Sequence, residues 1–443
     1  MSNIAQSSPH YAPPLVAAKA GFNGAVPWAA FVLILTLPFM QLFTVNFVFP
    51  LKVFEIAIIV WGLTAVLMLR IHVFDVPVLI FGILLTFYCV IALTINLRIL
   101  DNVGNFSHLA RWSPEIDGLT KAAYLLICVL GLNLVAYAAY FKPKLAVDLW
   151  IIGALLAASV HFALFLMTLA GMSLPNLPGM PDNPQMIDLA GMRLYRAATF
   201  LEGNYAGPFF ILSFLLACYR YYRLRACLLL TAALLTFSTT ALLGLAAAGL
   251  YWMLTSKNAM SKIKVLLLAV PLLFVGAPLL DTFVLDKISD DSENSSISDR
   301  TATALEALGM FQNNVVIGVG ISQYGFGVPG RTRWDFTRND FAVEKDKGIP
   351  NNVYAETLSE LGLMGLLFLG AFLVAIFRII WRCPHPLLRA GAYAVFLFWI
   401  SSPTITLMYY WAYLGLVCGI ARYEMRLASR QPIGGQRSAV VAK

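Results

Sequence analysis

Long apolar runs alternate with short polar segments along almost the whole chain. A helix that crosses the hydrocarbon core of a bilayer needs about 20 mostly apolar residues. The pattern therefore predicts an all-α polytopic integral membrane protein with about twelve transmembrane helices. The predicted spans are 27–47, 51–69, 74–95, 121–141, 147–171, 205–219, 226–238, 240–255, 263–280, 353–379, 388–401 and 404–420. Residues 236–240 (TFSTT) are interpreted either as a tight turn between short helices or as a break within the bilayer.

The polar stretches divide the chain into five predicted regions. The first 26 residues are polar, rich in proline and alanine, and lack the apolar core of a signal peptide, so we expect the first span to act as an uncleaved signal. The regions are a cytoplasmic tail (1–26), transmembrane helices 1–9 (27–280), a large external loop (281–352), transmembrane helices 10–12 (353–420) and a basic cytoplasmic tail (421–443).

Composition and charge agree with this prediction. Hydrophobic residues make up 60% of the chain and charged residues 12%, whereas a soluble domain is about 45–50% apolar and about 25% charged. The lysines and arginines behind the net charge of +8 gather in short loops, and such loops are retained in the cytoplasm. This places both termini in the cytoplasm and the segments 96–120, 172–204 and 281–352 on the opposite face. No pattern indicates nucleic-acid binding, a disulfide framework or a metal site.

The external loop 281–352 carries most of the exposed chemistry. A helix is predicted to begin near Ile297 and to end at Asn313. The glycines of residues 317–321 (IGVGI) favour a tight backbone turn or a close approach of a ligand. Arg331 and Arg333 lie among aromatic residues, a combination that can grip a phosphate and stack on sugar rings. A solvated surface loop is the alternative for each of these residues.

The helix that follows this loop begins with acidic residues at helical spacing. Asn351 or Asn352 is the expected N-cap after Pro350. Asn352, Glu356 and Glu360 recur every four residues, so they share one helix face. Glu356 in the first turn is also explained by the helix dipole. Glu360 lies one turn deeper, where an ionisable group is costly and is a candidate for function.

A second polar cluster lies where the segment 172–204 enters the sixth predicted span. Its members are Arg193, Arg196, Glu202 and Asn204. Snorkelling to the membrane interface also explains the arginines. The side chains of Glu202 and Asn204 are too short to reach far into water, so these two are stronger candidates for function.

The order of these elements resembles the O-antigen ligase/polymerase superfamily of bacterial envelope glycosyltransferases. An R-x(3)-F-x-E-x-N element enters a mid-chain span, and an arginine-bearing helix, a GVG sequence and a large external loop follow. The loop closes with a P-[HN]-N-x-[YF]-x-E-x-L-x-E-x-G-x-x-G helix start. These matches cover about a fifth of the chain. The matching residues are Arg196, Phe200, Glu202, Asn204, Arg300, Gly318, Gly320, Pro350, Asn351, Asn352, Tyr354, Glu356, Glu360, Gly362 and Gly365.

The resemblance implies a multi-pass protein of the bacterial inner membrane whose active site faces the periplasm. It implies a glycosyltransferase whose donor is an undecaprenyl-diphosphate-linked oligosaccharide and which uses no metal, nucleotide or other cofactor. The acceptor is the sugar end of another lipid-linked repeat in polymerases, or lipid A-core in ligases. Membrane lipid, a chain-length regulator and a flippase are further implied partners.

The resemblance also implies roles for individual residues. A diphosphate leaving group needs fixed positive charge, which arginine supplies through bidentate donors. Arg196 and Arg300 match the arginine positions of the family, so we expect them to converge on the diphosphate. The catalytic candidates are Glu202, Glu356 and Arg300. The substrate-binding candidates are Arg193, Arg196, Asn204, Arg331, Arg333, Asn351, Asn352 and Glu360.

One departure from the family pattern favours a polymerase of O-antigen or exopolysaccharide repeats over a ligase. Ligases of this superfamily typically carry a histidine where Asn351 stands, and an amide cannot accept a proton near neutral pH. The general base stays open between Glu202 and Glu356, with Asp335 or Asp340 behind them. The competing class is a flippase or transporter, whose functional charges usually lie near the bilayer midplane. Here the polar residues concentrate at the external edge.

Overall fold

The computed structural model describes residues 28–39, 44–46, 50–67, 75–100, 113–175, 185–189, 191–255, 296–327, 332–335, 340–343 and 348–430. Within these ranges the chain is a helical bundle. The helices are α1 (Trp28–Thr36), α2 (Val53–Leu67), α3 (Val76–Leu100), α4 (Pro114–Phe141), α5 (Pro143–Leu169), α6 (Gly203–Tyr219), α7 (Arg223–Leu235), α8 (Thr239–Thr255), α9 (Ser296–Asn313), α10 (Tyr324–Gly327), α11 (Val353–Trp381), α12 (Pro386–Phe398) and α13 (Met408–Arg430).

Three short antiparallel hairpins accompany the helices. They pair β1 (Thr44–Asn46) with β2 (Pro50–Lys52), β3 (Met186–Leu189) with β4 (Met192–Tyr195), and β5 (Thr332–Asp335) with β6 (Asp340–Val343). Each lies in a connection between helices, so the predicted all-α membrane fold is confirmed in outline.

Among the described residues, four helices are long and apolar enough to cross a membrane by length and composition. They are Val76–Leu97, Pro114–Phe141, Pro143–Leu169 and Val353–Trp381. Shorter apolar helices lie at Trp28–Phe39, Val53–Thr64, Gly203–Tyr219, Thr239–Thr255 and Pro386–Ser401. The count of about twelve spans stays a prediction, and the predicted span 263–280 lies outside the described residues.

The helices on both sides of the predicted external segment 96–120 extend into it, and its external placement stays a prediction. Helix α3 continues to Leu100, and α4 begins at Pro114. Ser113 caps α4, because its hydroxyl accepts a hydrogen bond from the backbone N–H of Ile116. The charged residues of the first two turns obscured this start in the hydropathy pattern. As a result, Lys121 lies about two turns inside α4 rather than at its beginning.

Residues 236–240 form the tight turn that was one of the two predicted alternatives. Helix α7 ends at Leu235 and α8 begins at Thr239. Phe237 takes a φ of 49°, which reverses the chain direction. The hydroxyl of Thr236 donates to the carbonyl of Ala233 (2.6 Å) and thereby satisfies one of the free carbonyls at the end of α7.

The bundle has two ends with different chemistry. Where α6 and α13 end, arginines pair with acidic residues at the starts of α5 and α3: Arg220 with Asp148 at 3.1 Å, and Arg422 with Asp75. Helices α4, α6, α11 and α13 begin at the other end. That end carries the polar residues singled out by the sequence, and we call it the site end.

Candidate active site

Residues 196–204, here called the Arg196 turn, connect the β3–β4 hairpin to α6 at the site end. The hydroxyl of Tyr195 donates to the carbonyl of Ala198, and burial raises the pKa of this phenol, so Tyr195 remains a donor. The backbone N–H of Gly203 donates to the Gln185 side-chain oxygen at 2.8 Å. The hairpin and its flanking residues therefore hold the turn in one conformation.

The guanidinium of Arg196 lies inside this turn. Arg196 is only 9% exposed, and its Nη2 donates to Asn204 Oδ1 and to the Phe237 carbonyl, both at 3.4 Å. Asn204 Oδ1 also accepts from the Ser238 hydroxyl at 3.3 Å. Asn204 and the α7–α8 turn thus orient the guanidinium through neutral oxygen atoms.

Glu202 stands beside this arginine at the N-cap position of α6. A Cβ at the neighbouring Gly203 would lie 2.6 Å from Arg196 Nε, so the guanidinium passes close to the backbone here. Glu202 is half-buried, and its carboxylate makes no hydrogen bond or ion pair within the part of the chain that the structure describes. A positive group and an open carboxylate therefore share one turn.

A second group of charges, the lysine–glutamate cluster, consists of Lys121, Glu356 and Glu360. Lys121 Nζ lies 2.7 Å from Glu356 Oε1 and 2.6 Å from Glu360 Oε2. The side chains are 15% exposed for Lys121 and 5% for each glutamate. Glu356 Oε2 also accepts from the Ile405 backbone N–H at 3.3 Å. The prediction that Glu356 and Glu360 share a helix face is confirmed.

Sequence reasoning missed Lys121. Its signal was a lysine at the predicted start of an apolar span, opposite in sign to the two glutamates at the start of another. No sequence pattern indicates that α4 and α11 pack against the same two helices, α3 and α13, so the pairing could not be inferred.

The start of α11 assigns backbone roles to both asparagines. Asn352, one of the two predicted alternatives, is the N-cap, and its Oδ1 accepts from the N–H groups of Tyr354 and Ala355 at 3.0 and 3.1 Å. Asn351 has a φ of 53°, in the left-handed region that asparagine tolerates better than most other residues with a side chain. These roles do not depend on a substrate.

Helix α11 is interrupted at Gly362, two residues after Glu360. Gly362 has a φ of 63°, and a Cβ there would lie 2.5 Å from the Val316 carbonyl oxygen. The N–H of Gly320 donates to the Glu360 carbonyl at 2.8 Å, and the N–H of Leu363 donates to the Val315 carbonyl at 2.9 Å. The predicted turn at residues 317–321 therefore satisfies the backbone groups that the interruption exposes.

Helix α9 lies against the start of α11. It begins at Ser296 and ends at Asn313, as the sequence predicted. The Thr303 hydroxyl donates to the Pro350 carbonyl at 3.0 Å, and Tyr324 donates to the Thr303 carbonyl at 3.1 Å. Arg300 belongs to α9, one turn before Thr303, but its side chain lies outside the described residues. Its convergence with Arg196 stays a prediction.

The remaining candidates are only partly described. Arg193 is exposed on β4, opposite Asp188 in the hairpin. Arg333, Asp335 and Asp340 lie on the β5–β6 hairpin, and their side chains are outside the described residues, as is the whole of Arg331. Their predicted roles stay predictions.

The first residues of α13 connect the Arg196 turn to the lysine–glutamate cluster. The ring of Phe200 lies 5.9 Å from that of Tyr409, centroid to centroid. Two residues further, the Trp411 indole N–H donates to the Ile405 carbonyl at 2.6 Å, and Ile405 also bonds Glu356. Both charged groups therefore lie at the site end, on either side of α13.

A small cavity adjoins the cluster. It is lined by Lys121, Glu356 and Glu360 together with apolar residues of α3, α4 and α11. Its volume is about 20 Å³, which holds about one water molecule and no sugar ring. In this conformation the two glutamates can meet a water or a hydroxyl group, but not a whole saccharide.

Comparison with known proteins identifies one family. Residues 225–370 match the family model described as O-Antigen ligase. No curated protein matches the chain. The matched segment includes Arg300, the 317–321 turn and the start of α11, whereas the Arg196 turn and Lys121 precede it.

Proposed function

We propose that this chain is a membrane glycosyltransferase that polymerises lipid-linked repeat units. The match over residues 225–370 supports its resemblance to the O-antigen ligase/polymerase superfamily. The donor is a polyprenyl-diphosphate-linked oligosaccharide, and the acceptor is the sugar end of a second lipid-linked chain. The reaction takes place at the periplasmic face of the inner membrane and uses no metal or nucleotide.

The observation that carries this proposal is the presence of Arg196 and Glu202 in the same turn. Transfer of a glycan from a diphosphate needs fixed positive charge at the leaving group and a proton acceptor at the attacking hydroxyl. Arg196 is held by Asn204 and the Phe237 carbonyl, so little reorganisation is needed when the leaving group develops charge. Glu202 has an unengaged carboxylate, among the described residues, on the same turn.

The reaction assigns each group a step. The acceptor hydroxyl oxygen forms a bond to the anomeric carbon of the donor, and its proton passes to the Glu202 carboxylate. The bond from that carbon to the diphosphate oxygen breaks, and the carrier diphosphate leaves with the electron pair. Arg196 stabilises the departing oxygen atoms through charged N–H donors.

Further residues are assigned to substrate binding. Arg300 joins Arg196 on the diphosphate from the turn of α9 that lies near the start of α11. Arg193, Arg331 and Arg333 contact the outer parts of the lipid-linked glycan, and Asn204 orients the guanidinium of Arg196.

Glu356 remains the second candidate for the general base. Lys121 and the Ile405 N–H already occupy its two oxygen atoms, whereas the Glu202 carboxylate is open. This difference favours Glu202.

The family description makes an O-antigen ligase the second candidate function, with lipid A-core as the acceptor. The position of Asn351 favours the polymerase. Its φ of 53° gives the residue a backbone role, and its amide cannot take up the acceptor proton as a histidine could.

A reconstituted assay separates these functions. Purified protein in proteoliposomes receives purified lipid-linked repeats, and the lengths of the lipid-linked products are measured. A polymerase lengthens the chains with no other acceptor present. Transfer that begins only after addition of lipid A-core, with repeats appearing on that lipid, establishes the ligase instead. No transfer under either condition, from protein that melts as a folded species, contradicts the glycosyltransferase proposal.

A further inference from the structure

We propose that Lys121 is a positioning residue of this site, which holds Glu356 and Glu360 together and thereby fixes the loop 402–407 and the first segment of α11. Lys121 lies outside the segment that matches the family model. The proposal rests on the proposed function only for its activity measurement.

The geometry shows a junction of three chain segments. Lys121 comes from α4, the two glutamates come from the first segment of α11, and Ile405 comes from the loop before α13. Glu356 bonds the lysine through Oε1 and the Ile405 N–H through Oε2. Because the same carboxylate bonds both neighbours, loss of the ammonium frees Glu356 to change rotamer and release the loop.

Two further hydrogen bonds hold the loop 402–407 in place. The Ile405 carbonyl accepts from the Trp411 indole, and the Thr406 carbonyl accepts from the Cys128 thiol at 3.4 Å. Tyr409 follows directly in α13 and packs against Phe200 of the Arg196 turn. A displacement of this loop therefore reaches the turn that carries the proposed chemistry.

The second glutamate connects the same lysine to the interruption of α11. The Glu360 side chain bonds Lys121, while its backbone carbonyl accepts from Gly320. The cluster thus fixes α11 against α4 immediately before the break at Gly362. A lysine suits this task, because an ammonium donates hydrogen bonds in several directions to carboxylates on successive helix turns.

The alternative is that Lys121 only neutralises the charge of the two glutamates. Variants that differ in the formal charge of the cluster distinguish this role from positioning. The parent cluster has one cation and two carboxylates, a formal charge of −1. Lys121→Met changes it to −2, and the double variant Lys121→Met/Glu360→Gln returns it to −1 without the ammonium. Lys52→Met is the matched control, because Lys52 also pairs with a buried glutamate at the site end (Glu55, 3.6 Å) but is itself partly exposed.

The first measurement does not depend on the proposed function. A single cysteine at Thr406 is labelled with a maleimide in purified protein that lacks the native cysteines, with Cys128→Ser to keep a donor to the Thr406 carbonyl. We expect Lys121→Met and the double variant to label at least about threefold faster than the parent, and Lys52→Met to label at the parent rate. Parent-like labelling in Lys121→Met, or restoration of the parent rate in the double variant, overturns the proposal.

The second measurement is elongation of lipid-linked repeats per folded protein. We expect Lys121→Met and the double variant to lower the turnover number at least about tenfold, as misplaced reacting groups do. KM should change little, because the positioning role gives Lys121 no contact with the substrate, and Lys121→Arg should restore part of the turnover number. An unchanged turnover number per folded molecule overturns the positioning role. If the parent itself does not elongate chains, the labelling result still decides whether Lys121 holds the loop.

Discussion

The Arg196 turn and the lysine–glutamate cluster lie at the same end of the bundle and use the same kinds of side chain in opposite ways. In the cluster, each carboxylate bonds the buried ammonium, and Glu356 also bonds the chain at Ile405. In the turn, the guanidinium of Arg196 donates to the Asn204 side-chain oxygen and the Phe237 carbonyl, and Glu202 has no partner within the described part of the chain.

This difference distinguishes charged groups that take part in the proposed reaction from charged groups that stabilise the fold. A catalytic charge must be oriented in advance towards the charge that develops in the reaction. In a buried ion pair, each charge is already compensated by the other. Removing one member costs about 3–5 kcal/mol of stability because the remaining charge is left uncompensated. We therefore expect variants in the turn to affect chemistry, and variants in the cluster to affect shape first.

The largest effect is expected at Arg196. Arg196→Ala should lower elongation of lipid-linked repeats by at least about 10²–10³-fold, because a fixed donor to the leaving group is lost. Arg196→Lys should rescue only in part, since the bidentate geometry is lost. Arg223→Ala, at an exposed arginine near the opposite end, is the control and should elongate normally. Equal activity in Arg196→Ala and Arg223→Ala would remove the turn from the reaction.

A substitution at the interruption of α11 is expected to lower the stability of the protein. Backbone strain alone should make Gly362→Ala destabilise the protein by about 1–3 kcal/mol. The total loss of stability should be larger, because the new Cβ also meets the Val316 carbonyl. Gly370→Ala is a matched control in the same helix, since a Cβ there meets nothing within 4 Å, and it should be neutral or stabilising. Melting of the purified proteins compares the two. If Gly362→Ala melts with Gly370→Ala, the break is not a requirement of the fold.

Asn351 is expected to show the smallest effect. Asn351→Ala should cost about 1 kcal/mol, because alanine is less tolerant of a positive φ. Asn351→Gly should be close to the parent in both melting and elongation, because glycine adopts this conformation without strain. Loss of transfer in the glycine variant, with melting unchanged, would mean that the amide itself takes part in the reaction.

Local patterns in the sequence predicted much of what lies along one helix. Short-range periodicity and capping chemistry predicted the shared face of Glu356 and Glu360, a cap at Asn351 or Asn352, and the bounds of α9. The short hairpins were not predicted, because three- or four-residue strands show too little alternation. The tight turn at 236–240 was one of two alternatives, since residue type alone does not distinguish a turn from a break.

Contacts between distant segments were beyond such patterns. Lys121 and Glu356 are 235 residues apart, and only the packing of α4 and α11 against their shared neighbours α3 and α13 brings them together. For the same reason the sequence could not show that Glu356 is occupied while Glu202 has no partner among the residues that the structure describes. The two glutamates were equal candidates until the neighbours of each were known.

The most direct test compares Glu202→Gln with Glu356→Gln in the elongation assay, per folded protein. Each amide keeps the shape of the side chain and removes its capacity to accept a proton. We expect Glu202→Gln to lower the rate by about 10²–10⁴-fold, as loss of a general base does. Glu356→Gln should lower the rate no more than about tenfold, since its amide oxygen still accepts one of the two hydrogen bonds. The opposite ranking would contradict the account, because it would place the base in the lysine–glutamate cluster and leave the Arg196 turn without it.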